Sequence, residues 1–170
     1  TFKSILEQAN SKKERKALLA NKVEDMLNTV IRQIAFFQFE KEIHTLRKST
    51  ELSIDQICSI WMDVQKTSLG PSIKYEEEYK YFWSYIPHFI HSPFYVYAYA
   101  FGDCLVNSLF NTYEKGLPNF DDKYINLLKS GGSKKYNELF SPFNLNLSKK
   151  SFWKKGLNVI ESFIDELETL

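Results

Sequence analysis

No glycine or proline occurs between Ser11 and Leu69. A stretch without either residue lacks the one that enters left-handed turns freely and the one that interrupts a helical ladder. It folds as long helices unless it alternates with the period-2 pattern of strands, and that alternation is absent. Instead Leu19, Val23, Leu27, Val30, Ile34 and Phe37 step by 4, 4, 3, 4 and 3, the period of one helical face. Ser11 to Glu14 reads Ser-Lys-Lys-Glu, a capping box in which the Ser11 hydroxyl bonds the Glu14 N–H and Glu14 reaches back. The pattern predicts one helix from there to Lys48, roughly 37 residues and ~55 Å long at 1.5 Å per residue. Apolar residues from Leu27 to Phe39 occupy more than one face, which implies burial of the second half on two sides.

The rest of the chain is punctuated. Phe2, Ile5, Leu6 and Ala9 form one stripe, read as the end of a helix that begins before Thr1 and stops at Asn10. Ser53 to Gln56 is a second capping box; it opens a helix with Ile54, Ile57, Cys58, Trp61 and Val64 inward, closed by Gly70-Pro71. An acidic-aromatic segment, Tyr75 to Tyr85, runs up to Pro87. Ser92-Pro93 has the form of an N-cap followed by proline at the first helical position, and predicts a helix as far as Lys115, before Gly116. Shorter helices are expected over 120–129, 136–140 and 151–167, the last with Phe152, Leu157, Ile160, Phe163, Ile164 and Leu167 inward. The expected fold class is all-α, with residues 1–170 as a single all-helical segment.

Charge and cysteine usage exclude several functions. Lys plus Arg is 22 against 21 for Asp plus Glu, a net charge of +1, so no electrostatic footprint for nucleic acid or an anionic membrane is present. No run approaches the ~18 apolar residues of a membrane span, and no signal peptide is read at the start. Cys58 and Cys104 stand far apart, which excludes a disulfide framework and a zinc knuckle and points to a reducing, cytoplasmic setting. His44, His88 and His91 are the histidines; no H-E-x-x-H, G-x-S-x-G or Gly-rich phosphate loop occurs, so no metal site is expected inside the chain.

The unusual quantity is aromatic content, 16%. The densest reactive segment runs from Trp83 to Tyr99 and holds His88, His91, Tyr85, Tyr95, Tyr97 and Tyr99. Tyr95, Tyr99 and Gly102 fall at i, i+4 and i+7 of the expected helix, where a mid-helix glycine costs about 0.8–1 kcal/mol against alanine. A stripe of phenols beside a glycine gap suits a cleft that a substrate backbone approaches closely, with O–H and N–H donors for a developing oxyanion. The same stripe also suits plain core packing. His88 and His91, three apart across a Ser-Pro boundary, make a poor zinc pair. The run from Phe36 to His44 reads as core aromatics followed by solvated charge, with Glu40 and His44 as an i, i+4 surface pair. Glu76 to Glu78 reads as a solvated face, and both cysteines as buried and inert.

Four blocks in order carry a resemblance. Ile31-Arg32-Gln33 continues through Phe36, Phe39, Glu40, Glu42, Ile43 and His44. Ile86-Pro87-His88-Phe89 is followed by Pro93-Phe94-Tyr95-Val96-Tyr97-Ala98-Tyr99-Ala100-Phe101-Gly102. Leu127 to Ser133 and then Phe152-Trp153 with Ile160-Glu161 and Ile164 to Leu167 complete the set. The chain resembles the oligoendopeptidase F family, thimet-oligopeptidase-like zinc metallopeptidases. The resemblance implies long helices forming part of a larger helical metallopeptidase catalytic domain, this chain being its C-terminal part. It implies zinc in the full-length enzyme, held by two His of an H-E-x-x-H helix and a Glu on a following helix. All of these lie upstream of Thr1, so this chain alone is expected to bind no catalytic zinc and to be inactive. It implies short peptides as substrates, cleaved at internal bonds, and the upstream part of the same polypeptide as partner. His88 matches the family's cleft-wall histidine. Tyr95 is the first match for the tyrosine that stabilises the tetrahedral intermediate, and Tyr99 the second. Tyr99, Gly102 and His91 are expected to contact substrate; Ile90 and His91 stand where relatives often have tyrosines. A rival reading from another class is a non-catalytic helical peptide- or protein-binding module, separated from the first by whether H-E-x-x-H precedes Thr1.

Overall fold

The computed structural model of the chain describes residues 2–170, and among them every regular element is helical. The helices are α1 (Phe2–Glu7), α2 (Lys12–Thr29), α3 (Ile31–Leu46), α4 (Ile54–Leu69), α5 (His88–His91), α6 (Tyr97–Glu114), α7 (Phe120–Ser130), α8 (Tyr136–Phe140) and α9 (Lys150–Thr169). Tighter 3₁₀ helices occupy Glu77–Tyr85 and Ser141–Phe143. The all-α expectation holds. The expectation that α1 begins before Thr1 falls outside the described residues. Among the described residues no helix is long and apolar enough to cross a membrane.

The single long helix expected from Ser11 to Lys48 is two helices that meet at Val30. Thr29, Val30 and Ile31 are β-branched in succession, with χ1 restricted against the preceding turn. Val30 takes φ −104°, ψ −66°, off the helical values. The hydrogen-bond ladder still runs through the junction, from Val30 N–H to Met26 O (2.9 Å) and from Ile34 N–H to Val30 O (3.0 Å). Leu27 and Ile34 remain exposed, so the expected two-sided burial does not reach them.

Capping follows the sequence closely. Gln56 N–H donates to Ser53 Oγ (3.3 Å) and Ser53 N–H to Gln56 Oε1 (2.8 Å), a complete capping box. Glu14 N–H donates to Ser11 Oγ (3.1 Å), but the Glu14 carboxylate reaches past Ser11 to the Asn10 N–H (2.7 Å). Gly70 closes α4 at φ +75°. The helix predicted at Ser92-Pro93 does not start there. Phe94 is left-handed at φ +59°, which no continuing helix accommodates, and α6 opens only at Tyr97.

The chain falls into two compact units, one formed by Glu24–Phe101 and the other by the chain up to Val23 with Gly102–Leu170. In the first, α3 packs on α4, and α4 on the 3₁₀ helix Glu77–Tyr85. Its core is Ala35, Phe36, Phe39, Ile43, Trp61, Val64, Ile86 and Val96. Trp61 is fully buried among the rings of Phe36 (5.5 Å), Phe39 (5.2 Å), Tyr79 (5.8 Å) and Phe89 (6.4 Å), and its indole N–H donates to Tyr79 O (3.0 Å). Removing ~200 Å² of such a ring from water stabilises the fold by about 5 kcal/mol.

In the second unit α6 and α9 approach so closely that a Cβ on Gly156 would lie 2.8 Å from Cys104 Cα. The buried face of α9 is Phe152, Gly156, Ile160 and Phe163, whereas Leu157, expected inward, is exposed. Phe2 meets Phe163 edge to face at 5.4 Å. Arg15 ties α2 to both neighbours, donating from Nε to Glu166 Oε1 (2.9 Å) and from Nη1 to Leu6 O (2.9 Å).

Candidate functional site

Within Glu24–Phe101, two anchored segments bring His88, Tyr95 and Tyr99 together. His88 follows Pro87 at the start of α5, between Ile86, which is buried, and Phe89, which packs on Phe36 (5.8 Å) and Phe39 (5.2 Å). With both neighbours held in the core, the His88 side chain is left at the surface of the unit. Tyr95 lies in the turn before α6, between Phe94 and the fully buried Val96, and its own ring is half exposed. Tyr99 sits in the first turn of α6, next to buried Ala100.

The rings form a closed set. His88 Nε2 and Tyr99 Oη are 3.1 Å apart. The His88 and Tyr95 rings lie near-parallel, centroids 6.4 Å apart and planes 3° apart, and Tyr95 meets Tyr99 edge to face at 5.5 Å. A neutral imidazole has one N–H and a phenol one O–H. One of these joins His88 to Tyr99, so in either imidazole tautomer the pair keeps one donor for a ligand, and Tyr95 O–H adds another. The arrangement suits hydrogen bonding to a carbonyl oxygen or to charge developing on it.

The sequence-expected residues divide. His88, Tyr95 and Tyr99 are brought together, although Tyr95 precedes the helix it was expected to share. His91, at the end of α5, is exposed, and no hydrogen bond joins it to the cluster. Gly102 lies on α6, where an added Cβ would meet nothing within 4 Å. Its position falls just past the boundary of the unit that holds the cluster.

Glu40 departs most from expectation. Read as a solvated partner of His44, it is instead 2% exposed. Its Oε1 accepts from the Phe94 N–H at 2.9 Å, and its Oε2 is buried without a hydrogen-bond partner among the described residues. Burial raises its pKa, opposed by the Phe94 N–H and by His44 and His88. The Phe94 ring is clasped by Phe37 (6.2 Å) and by His44 (4.9 Å). A left-handed L-residue costs roughly 1–2 kcal/mol. A hydrogen bond to a charged group contributes about 1.5–3 kcal/mol. The Glu40 bond is therefore large enough to hold the strained turn. The sequence signal was present: Phe36, Glu40 and Ile43 are spaced 4 and 3, on one buried face.

A hollow of about 270 Å³ opens beside His88, lined by Arg32, Gln33, Phe82 and Tyr85 among others. The Arg32 guanidinium lies over the Phe36 and Phe82 rings, at 5.5 and 5.6 Å. Among the described residues no three His, Cys, Asp or Glu side chains converge. The cluster offers one imidazole and two phenols, which is not a zinc ligand set.

Residues 2–159 match peptidase family M3. The chain belongs to this family. Among its relatives is an oligoendopeptidase F homolog of Borreliella burgdorferi, 28% identical over 167 residues, or 98% of this chain and 28% of the relative. The chromosomal oligoendopeptidase F of Lactococcus lactis subsp. cremoris is 28% identical over 168 residues, with the same two shares. The oligopeptidase PepF of Bacillus subtilis is 28% identical over 167 residues, 98% of this chain and 25% of the relative. The M3 chain thus spans about a quarter of the length of these curated relatives. No solved structure matches it.

Proposed function

We propose that this chain is the C-terminal part of the catalytic domain of a zinc-dependent oligoendopeptidase and supplies the cleft wall that binds peptide backbone and stabilises the tetrahedral intermediate. The carrying observation is the partly exposed His88–Tyr95–Tyr99 cluster, joined by a 3.1 Å hydrogen bond and held from behind by buried neighbours. Donors fixed before the reaction need no reorganisation as negative charge develops, and each is typically worth ~10²–10³ in kcat. In this reading His88 and Tyr95 donate to the oxyanion. Tyr99 orients His88 and, with Gly102 and His91, contacts the substrate backbone. The zinc ligands reside on the upstream part of the same polypeptide, and both units belong to one catalytic domain. The substrates are short peptides cut at internal bonds. Two unpaired thiols support a cytoplasmic setting.

The test is steady-state kinetics of the full-length protein on a short peptide. His88→Ala and Tyr95→Phe each lower kcat by ~10²-fold with less effect on KM, as expected for groups acting in the transition state. Parental kcat in both variants would sink the assignment.

A further inference from the structure

Three residues of α3 on one stripe, Phe37, Glu40 and His44, meet a single residue of the turn before α6. That residue is Phe94, whose backbone is left-handed. The ring contacts grip its side chain, and the carboxylate takes its N–H. Val96, two positions on, is fully buried. Between these two residues the Tyr95 ring is half exposed and lies near-parallel to the His88 ring. The burial of Glu40 argues in the same sense. A carboxylate with one oxygen buried and unpaired is costly. An apolar side chain at position 40 would fill the same space without that penalty, but it would leave the Phe94 N–H without its acceptor.

We propose that Glu40 is the positioning residue of the His88–Tyr95–Tyr99 cluster: its hydrogen bond to the Phe94 N–H fixes the turn that aims the Tyr95 ring at His88. Glu40 acts through the backbone and touches no substrate. The activity consequence rests on the reading of His88 and Tyr95 as transition-state donors; the geometric consequence does not.

The experiment uses the full-length protein carrying 3-fluorotyrosine, with the Tyr95 fluorine resonance assigned by its disappearance in Tyr95→Phe. Glu40→Gln keeps the acceptor at full reach and removes the charge. Glu40→Asp keeps the charge and withdraws the acceptor by one methylene. The Tyr95 resonance stays at its parental position in Glu40→Gln, and is displaced and broadened in Glu40→Asp and Glu40→Ala. In those two variants kcat falls by ~10²-fold, as for a misplacement of order 1 Å, with KM little changed. A parental Tyr95 resonance in Glu40→Asp, or a displaced one in Glu40→Gln, overturns the proposal. Where Glu40→Ala does not fold, the Gln and Asp pair decides alone. If the resonance moves as stated while His88→Ala and Tyr95→Phe keep parental kcat, the cleft-wall reading fails and the positioning role stands.

Discussion

Gly102 and Gly156 both lie inside long helices, and replacing each with alanine has opposite expected signs. Alanine gains about 0.8–1 kcal/mol over glycine in a helix interior. At Gly102 the new methyl meets nothing within 4 Å, so that gain stands undiminished. It raises Tm by ~2–4 °C in a chain of this size. At Gly156 the methyl would sit 2.8 Å from Cys104 Cα, 2.9 Å from its Cβ and 3.0 Å from its O. Ordinary contact between such atoms is about 3.5–4 Å, so α6 and α9 must part by roughly 0.5–1 Å. Overpacking costs about 1–3 kcal/mol, and the upper half applies because the obstacle is mostly backbone. After the propensity gain, Gly156→Ala is destabilised by ~1–2 kcal/mol. Urea unfolding of both variants at unchanged m-value reads the two signs directly. A Gly156→Ala protein as stable as Gly102→Ala refutes the close approach of the helices. Gly102→Ala carries a second readout, because the proposed cleft needs that gap. On the proposed function, in the full-length protein it lowers kcat/KM for peptides while raising Tm, and unchanged kcat/KM refutes close substrate approach at Gly102.

Burial, with the Asp103 charge adding to it, pushes the Cys104 thiol up to about 11. A disulfide reagent at pH 8 therefore leaves Cys104 unmodified in the native protein and labels it in denaturant; native labelling at the rate of a free thiol contradicts this. Burial also raises the Asp103 pKa, against Lys22 and the hydrogen bond from Asn107. A carboxyl whose folded pKa exceeds its unfolded value contributes stability below the unfolded pKa and loses it as pH rises through the folded one. Asp103→Asn accordingly flattens the fall in stability above pH ~4, with Glu40 giving a residual slope of the same sign. Denaturant midpoints measured from pH 4 to 8 check it, and a profile parallel to the parent's refutes it.

Local chemistry was legible in the sequence. Ser53 with Gln56 and Gly70 mark the ends of α4 because caps and left-handed terminators depend on residues a few positions apart. The length of the α2–α3 run was overestimated, since a period count does not register three β-branched residues in a row. The false start at Ser92-Pro93 has a tertiary cause: the turn there is set by Glu40, 54 positions earlier. Glu40 itself and the α9 seam at Gly156 were visible only in retrospect, as a charge and a glycine occupying core positions of otherwise apolar stripes. For the site, spacing placed Tyr95 near Tyr99. The pairing of His88 with Tyr99 depends on how Ile86 and Phe89 enter the core, which no local pattern encodes.

The tryptophans of Glu24–Phe101 offer an optical signal for that unit. Trp61 and Trp83 belong to Glu24–Phe101, and Trp153 to the other unit. Trp61, sealed from water by other rings, is expected to emit at the blue end of the indole range. The Trp83 Nε1–H donates to the Cys58 Sγ at 3.4 Å, and a thiol held against the indole is expected to quench its emission. Opening of Glu24–Phe101 is expected to register as a red shift from Trp61 together with a rise in yield from Trp83.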